Sequence, residues 1–323
     1  MPLPRVVASI VLLGITLGAG AATDQSYPAR PIRMVTAEVG GGVDFTARVI
    51  AQSGLSDNLG QQVIVDNHGG AGGAIAAEIV AKAPPDGHTL LVYASAMWFL
   101  PLLRSNLPYD PVRDFAPITC AAKSPNIVVV HSTLPANSIK DLIALAKAQP
   151  GELNYGSGGT GSTAHLAAEL FKSMAGVDIV RIPYKGTGPA VNDLIAGRLR
   201  LMFATAGAVT SHVRSGRLRA LAVTSAQPSA LAPELPTVAS SGLPGYELIS
   251  VYAIFAPAKT PAAIVKQLNR EIVRVLGKAD VKERFLNNGM EIVGSSPEEL
   301  ASMRNSDMTR MGKLIRDAGI REE

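Results

Sequence analysis

Cysteine is almost absent from the sequence, with Cys120 alone, and the five histidines lie far apart along the chain. One thiol can form no intrachain disulfide and no zinc site built from paired cysteines. No H-E-x-x-H spacing takes its place, so no metal or other cofactor is expected. Charge is scarce as well: Asp, Glu, Lys and Arg make up 17% of residues, below the usual quarter. The basic surplus, a formal net charge of +4, is scattered without any block of five or more. Aromatic residues account for 5%. A nucleic-acid groove needs a basic stripe with interleaved aromatics, and its absence leaves no nucleic-acid partner to expect. The chain also lacks G-x-x-x-x-G-K-[ST], and Tyr155 stands where a nucleophile elbow around Ser157 would need glycine. Nucleotide hydrolysis and α/β-hydrolase chemistry therefore both miss their motif.

What is present is a chain of 323 residues, 47% hydrophobic, with 31 glycines. That length suits two folded domains with sizeable cores. Arg5 precedes the apolar run Val6 to Leu17, and small residues from Gly18 to Ala22 follow. Such an order reads as a secretory signal peptide, residues 1–22, cleaved near Ala21-Ala22. A membrane anchor or buried first helix is the other reading, but the run is shorter than a bilayer span requires. No cysteine stands at the cleavage point, so a lipid anchor is not expected, and a periplasmic location is.

Strand and helix alternate, and do so twice. Ile32 to Val35 reads as a strand, followed by Gly40-Gly41-Gly42 and a helix from about Asp44. Val63 to Val65, a glycine-rich turn at Gly69 to Gly73, a helix and the strand Thr89 to Tyr93 continue a series of βαβ units. Phe115 to Ala122 reads as an extended crossing, ended by Pro125, before a new cycle starts at Ile127 to Val130. That cycle carries a second glycine loop, Gly156 to Gly161, with a helix from about Ser162. Pro228 to Pro244 reads as an irregular connection, and Leu248 to Phe255 as the return crossing. Ile264, Leu268, Ile272 and Leu276 then fall on one helix face, and Pro297-Glu298-Glu299 opens a last helix. The expected fold class is α/β, two-lobed, with two crossings between lobes and a cleft between them. The lobes are expected at 23–122 plus 243–323 and at 123–242.

In open α/β sheets ligands lie beyond the carboxyl ends of the strands. Both glycine loops fall there, each baring backbone N–H groups at a helix start where the dipole favours an anion. Taken singly, each loop reads as well as an ordinary βα turn. Candidate ligand contacts are Gly40, Gly41, Gly42 and Asp44 from the first loop. The second supplies Ser157, Gly158, Gly159, Thr160, Gly161, Ser162 and His165. Ser95, Thr187 and Thr205 are candidates at strand ends. Asp44 also suits the first turn of its helix, and His165 a packed or helix-bonding role. Trp98 could shape a pocket but belongs more naturally to the core, and Ala94 at a strand end and Tyr252 on the return crossing are further candidates for ligand selectivity. Gly156, Gly158 and Gly161 match G-x-G-x-x-G, so a dinucleotide-dependent enzyme is the alternative; the acidic residue it needs at the end of the next strand is missing.

Taken together, several motifs in order resemble one family. They are Tyr27-Pro28-x-Arg30-Pro31-Ile32, the triple glycine with Asp44, Pro85-Asp86-Gly87, Tyr109-Asp110-Pro111 with Asp114-Phe115-x-Pro117, Tyr155-Gly156-Ser157, Pro183-Tyr184-Lys185-Gly186 and Leu218 to Thr224. The chain resembles the Bug family, the extracytoplasmic solute receptors of tripartite tricarboxylate transporters, over nearly all of its mature length. The resemblance implies a periplasmic Venus flytrap without catalysis, in which loops Gly40 to Asp44 and Gly156 to Ser162 act as pincers on a small carboxylate. It implies a small organic acid, amino acid or aromatic carboxylate as ligand, membrane transporter subunits or a sensor as partner, and a monomeric receptor. One departure from the family is Thr36-Ala37-Glu38-Val39. A carboxylate at Glu38 in the cleft would repel an acid, so it either faces solvent or meets an amine on the ligand.

Overall fold

The computed structural model describes residues 27–37, 39, 42–158, 161–184, 186–317 and 320. The proposed signal segment, Glu38, Gly40, Gly41, Gly159, Thr160 and Lys185 lie outside them. The first part of the chain forms β1 (Ile32–Thr36), α1 (Gly42–Ile50), α2 (Ser56–Leu59), β2 (Val63–Asn67), α3 (Ala74–Ala81), β3 (Thr89–Ala94) and α4 (Ala96–Leu103). β4 (Phe115–His131) is followed by α5 (Ile139–Ala148), β5 (Asn154–Ser157), α6 (Thr163–Ala175), β6 (Val180–Pro183), α7 (Thr187–Ile195), β7 (Leu201–Thr205), α8 (Ala206–Arg214) and β8 (Leu218–Val223). The chain ends with β9 (Ile249–Pro257), α9 (Ala262–Leu276), α10 (Ala279–Asn287), β10 (Glu291–Ile292) and α11 (Pro297–Asp317).

The strands lie in the order β2-β1-β3-β9-β4-β7-β5-β6, with β8 and β10 also paired to β4. β1, β2 and β3 run parallel, as do β5, β6 and β7, whereas β9 is antiparallel to both β3 and β4. The parallel units place helices on the faces, so β3, Thr-Leu-Leu-Val-Tyr-Ala, is buried almost throughout. β2 is the edge, and it shows an edge's composition: Ile64 is exposed and Asp66 pairs with Arg33 of β1.

The break expected near Pro125 is absent, because β4 runs unbroken over 17 residues. Its first part pairs with β9, from Phe115 opposite Pro257 to Pro125 opposite Ile249. From Asn126 onward it pairs with β7 and β8 instead. Pro125 sits where β4 changes partners, which is where a missing N–H disturbs the ladder least. Irregularities at Pro117/Thr119 and Cys120/Ala122 absorb the other proline and bend the strand.

Three apolar clusters fill the molecule. One lies under α3, α4, α6 and α11 and runs across both parts of the sheet, joining Trp98, Phe99 and Phe255 to Phe171, Phe203 and Tyr246. A second lies beneath α1, α9 and α10, and a third beneath α7 and α8. The two parts therefore share a core on one face and have separate cores on the other. α9 shows the expected stripe, with Leu268, Ile272 and Leu276 buried at steps of four. Leu268→Ala should cost about 2–5 kcal/mol. Urea unfolding should show a lower midpoint with an unchanged slope, since the surface exposed on unfolding is nearly the same.

Candidate functional site

The separated cores leave a cleft between α1 on one side and α7 and α8 on the other. A cavity of about 410 Å³ occupies it. Gly42 and Phe45 of α1, Thr187 of α7 and Thr205-Ala206-Gly207 at the start of α8 approach it from the two sides, with Gly42, Phe45, Thr187, Thr205 and Gly207 on its wall. Ser124 of β4 and Tyr252 of β9 line it from the crossing strands, and Asn287, Asn288 and Met290 from the turn between α10 and β10.

Local sequence explains how each group arrives there. At the start of α1 a Cβ on Gly42 would stand 2.6 Å from Tyr252 Cε1 and 2.8 Å from Met290 Cε, so a side chain there must displace both. Glycine thus lets the Tyr252 ring lie against the helix start. Tyr252 is nearly buried, and burial pushes its hydroxyl up to about 12, so it stays protonated and able to donate. The caps of α7 and α8, Gly186 and Thr205, make no side-chain capping bond, so first-turn N–H groups remain available. The wall's described residues include no ionised side chain. An anion here would be met by the positive ends of helices α1, α7 and α8 and by neutral hydroxyls and amides.

Of the sequence candidates, the structure brings Gly42, Thr187, Thr205 and Tyr252 to this wall. Asp44 is buried in the first turn of α1, accepting from Arg48 Nε at 2.9 Å and Asn67 Nδ2 at 2.8 Å. Ser95 is buried at the start of α4, where its hydroxyl accepts from the N–H of Val251 at 3.4 Å and ties β9 to the end of β3. Ser157 accepts from Arg181 Nε at 2.9 Å, and Arg181 Nη2 donates to Gly158 O at 3.0 Å. Ser162 caps α6 by accepting from the N–H of His165. Gly161 packs toward α4, with Leu103 Cδ1 2.7 Å from where its Cβ would be. The described part of the second glycine loop is thus bonded to β6 and α6 and packed on α4. Trp98 is in the core, as its type suggested.

The sequence reading did not select Ser124, Gly207, Asn287, Asn288 or Met290. Asn288 and its neighbours could have been reached through α10, whose Asp280, Val281 and Phe285 carry a short helical signal ended by Gly289 at φ +72°. Among the described residues, no three His, Cys, Asp or Glu side chains come together to hold a metal, and no helix is long and apolar enough to cross a membrane.

His165 is buried, and its Nδ1 accepts from the N–H of Gly161 at 3.1 Å. Burial, reinforced by Arg181, lowers its pKa from 6.5 to about 4. The neutral ring is therefore the native form, while the unfolded chain takes up a proton below about pH 6.5. The folded state should lose roughly 1.4 kcal/mol per pH unit between 6.5 and 4 through this group. Unfolding measured at pH 7 and pH 5 should show a smaller acid loss for His165→Asn, which keeps an acceptor near the N–H of Gly161.

A two-part sheet joined by crossing strands, with a cleft of helix starts between the parts, is the architecture of a periplasmic solute-binding protein. Solved structures agree. "R. palustris Rpa4515 with adipate" is 38% identical, with a TM-score of 0.80 over 91% of this chain and 99% of that one. The periplasmic binding protein BugD is 33% identical, with a TM-score of 0.78 over 92% of this chain and 100% of its own. MatC from Rhodopseudomonas palustris with bound malate is 28% identical, with a TM-score of 0.76 over 90% and 100%. BugT of Bordetella pertussis is 37% identical over 326 aligned positions, covering 99% of both chains. The model of the tripartite tricarboxylate transporter family receptor matches residues 46–320, and the chain belongs to that family of periplasmic solute-binding receptors.

Proposed function

We propose that this receptor captures a small carboxylate-bearing metabolite in the cleft and presents it to the membrane subunits of a tripartite tricarboxylate-type transporter, or to a sensor. The observation that carries this reading is the meeting of three helix starts, α1, α7 and α8, on one cavity whose described wall has no ionised side chain. Such a wall can neutralise an anion only with backbone N–H groups and dipoles. Relatives bound to adipate and to malate support a carboxylate of similar size. We take the lobes as 23–122 with 243–323 and as 123–242, closing on the ligand by movement at the β4 and β9 crossings. Gly40 and Gly41 of the first loop, and Gly159 and Thr160 of the second, complete the pincers in this reading. Export through residues 1–22 and a monomeric receptor belong to the same proposal.

The dinucleotide alternative is weakened by how the second glycine loop is used. A Cβ on Gly156 would stand 2.4 Å from Leu199 Cδ1, and Gly161 is closed against Leu103. Those glycines already serve packing.

A thermal-shift series should show stabilisation by C4 to C6 carboxylates and none by NAD or FAD. Stabilisation by a dinucleotide with no response to any carboxylate would overturn the reading. Gly42→Ala should displace Tyr252 and Met290 into the cavity. Both are ends of flexible side chains, so the fold should survive while affinity for the best carboxylate falls by roughly tenfold or more, an effect of about 1.4 kcal/mol read by calorimetry.

A further inference from the structure

The crossing strands have a reverse side. Ser124 and Tyr252 line the ligand cavity, and because side chains alternate along a strand, their neighbours Lys123 and Val251, which pair across the β4–β9 ladder, face the other way. Both line a second cavity of about 330 Å³, between the ladder and α11, together with Ile249, Met303 and Ser306. A polar clasp forms part of its wall. Arg310 of α11 donates through Nη1 to the carbonyl of Glu247 at 2.5 Å and, at 3.5 Å, to Glu247 Oε2. Its Nη2 donates to Asp307 Oδ1 at 3.2 Å, one turn back on the same helix, which aims the guanidinium.

The two halves of the clasp are anchored to different parts of the molecule. α11 is held on the β1–β3 side, where Arg304 Nη1 donates to the carbonyl of Pro111 at 2.8 Å. The segment around Glu247 is held on the β5–β7 side: the Tyr246 hydroxyl donates to the carbonyl of Ala167 in α6 at 2.8 Å, and the N–H of Leu248 to the carbonyl of Thr224 at 3.0 Å. Arg310 thus joins the two parts on the face opposite the cleft. Bending the ladder so that α1 approaches α7 and α8 lengthens that opposite face, so the clasp is best made with the cleft wide and loosens as it closes. Resting on the reading above, in which the cleft closes on a carboxylate, we infer that Arg310 is a positioning residue that holds the unliganded receptor toward its open form and so sets ligand affinity from behind the crossing strands. A ligand that prefers the closed form binds in proportion to the population of that form, and releasing the clasp raises it. Arg310 and Glu247 are both about a third exposed, so the adjustment is modest.

Titration calorimetry with adipate and with malate on the wild type, Arg310→Lys, Arg310→Gln and Arg310→Glu tests it, with thermal melts checking that each protein is folded. Arg310→Gln should bind the acid about two- to fivefold tighter than the wild type. Arg310→Lys keeps a charge and a donor and should lie between the two. Arg310→Glu sets a third carboxylate beside Glu247 and Asp307, which drives the clasp apart, and should bind tightest. A second arm uses no ligand. Spin labels on the exposed positions Asp57→Cys in α2 and Asn192→Cys in α7 report the width of the cleft by double electron–electron resonance, while Cys120 is buried and stays unlabelled. The share of short distances in the unliganded protein should rise in the order wild type, Lys, Gln, Glu. Equal or weaker binding by the Gln and Glu variants would overturn the clasp, as would unliganded distances that do not move, since a merely structural Arg310 would lower the melting temperature and leave the cleft width alone. If neither acid binds any of the four proteins, the carboxylate reading falls, and the unliganded distances still decide whether Arg310 holds the cleft open.

Discussion

The β4–β9 ladder is the constraint on which every other feature depends. Its antiparallel pairs run from Phe115 and Pro257 to Pro125 and Ile249, and both strands are buried along nearly their whole length. β3 is held on β9, with β1 and β2 beyond it, so α1 takes its place from that side of the ladder. β7 is held on the continuation of β4, with β5 and β6 beyond it, which sets α7 and α8. The distance between the helix starts therefore depends on how β4 bends as it leaves β9. The shared core beneath α4, α6 and α11 joins the two parts on one face. The cleft forms on the other face, where the cores beneath α1 and beneath α7 and α8 stay apart.

A wall whose described residues carry no charge has consequences for a receptor that must both bind and release. A lysine or arginine in the cavity would add attraction but would need desolvation or a partner in the empty state. The starts of α7 and α8, which have no side-chain cap, avoid that cost, since their first-turn N–H groups need neither a counter-charge nor a buried partner. Each contributes modestly, about 0.3–1 kcal/mol at an exposed site and more when water is excluded. Several converging starts are then needed, and convergence requires both parts of the sheet. In the proposed reading, affinity is thereby tied to closure, because neither part alone brings α1 together with α7 and α8.

Much of the fold was legible because its strands are apolar runs and its long helices carry strong periodicity. α9 and α11 follow from their steps of four and their first-turn residues. The parallel units follow from glycine turns between β-rich segments. Pro125 misled: it reads as a strand breaker, yet here it marks a change of partner within one strand. α4 was missed because Ala-Met-Trp-Phe-Leu-Pro-Leu-Leu is apolar on every side and holds a proline, which leaves no amphipathic signal. β10 is two residues long and has no pattern to read. Of the site, the start of α1 was legible from its glycine turn and Thr187 and Thr205 from their places at strand ends, whereas the second glycine turn pointed to the start of α6, whose described residues are not on this wall. Ser124 and Asn288 were not, because an ordinary serine and asparagine carry no local signal for a wall that forms only where β4 meets the turn after α10.

The second glycine loop shows why a glycine pattern underdetermines its use. Gly156, Gly158 and Gly161 match a dinucleotide fingerprint, and in that setting glycine lets backbone approach a pyrophosphate. Here a side chain at Gly156 would meet Leu199, and one at Gly161 would meet Leu103, so the same absence of Cβ serves the approach of protein to protein. Gly161 also has φ +81°, a conformation that favours glycine whatever lies nearby. Ser157 and Ser162, at the two ends of the loop, are engaged with Arg181 and His165. The described residues on either side of Gly159 and Thr160 are thus held by bonds to their own neighbours and braced on α4, which is packing that a bare glycine pattern cannot reveal.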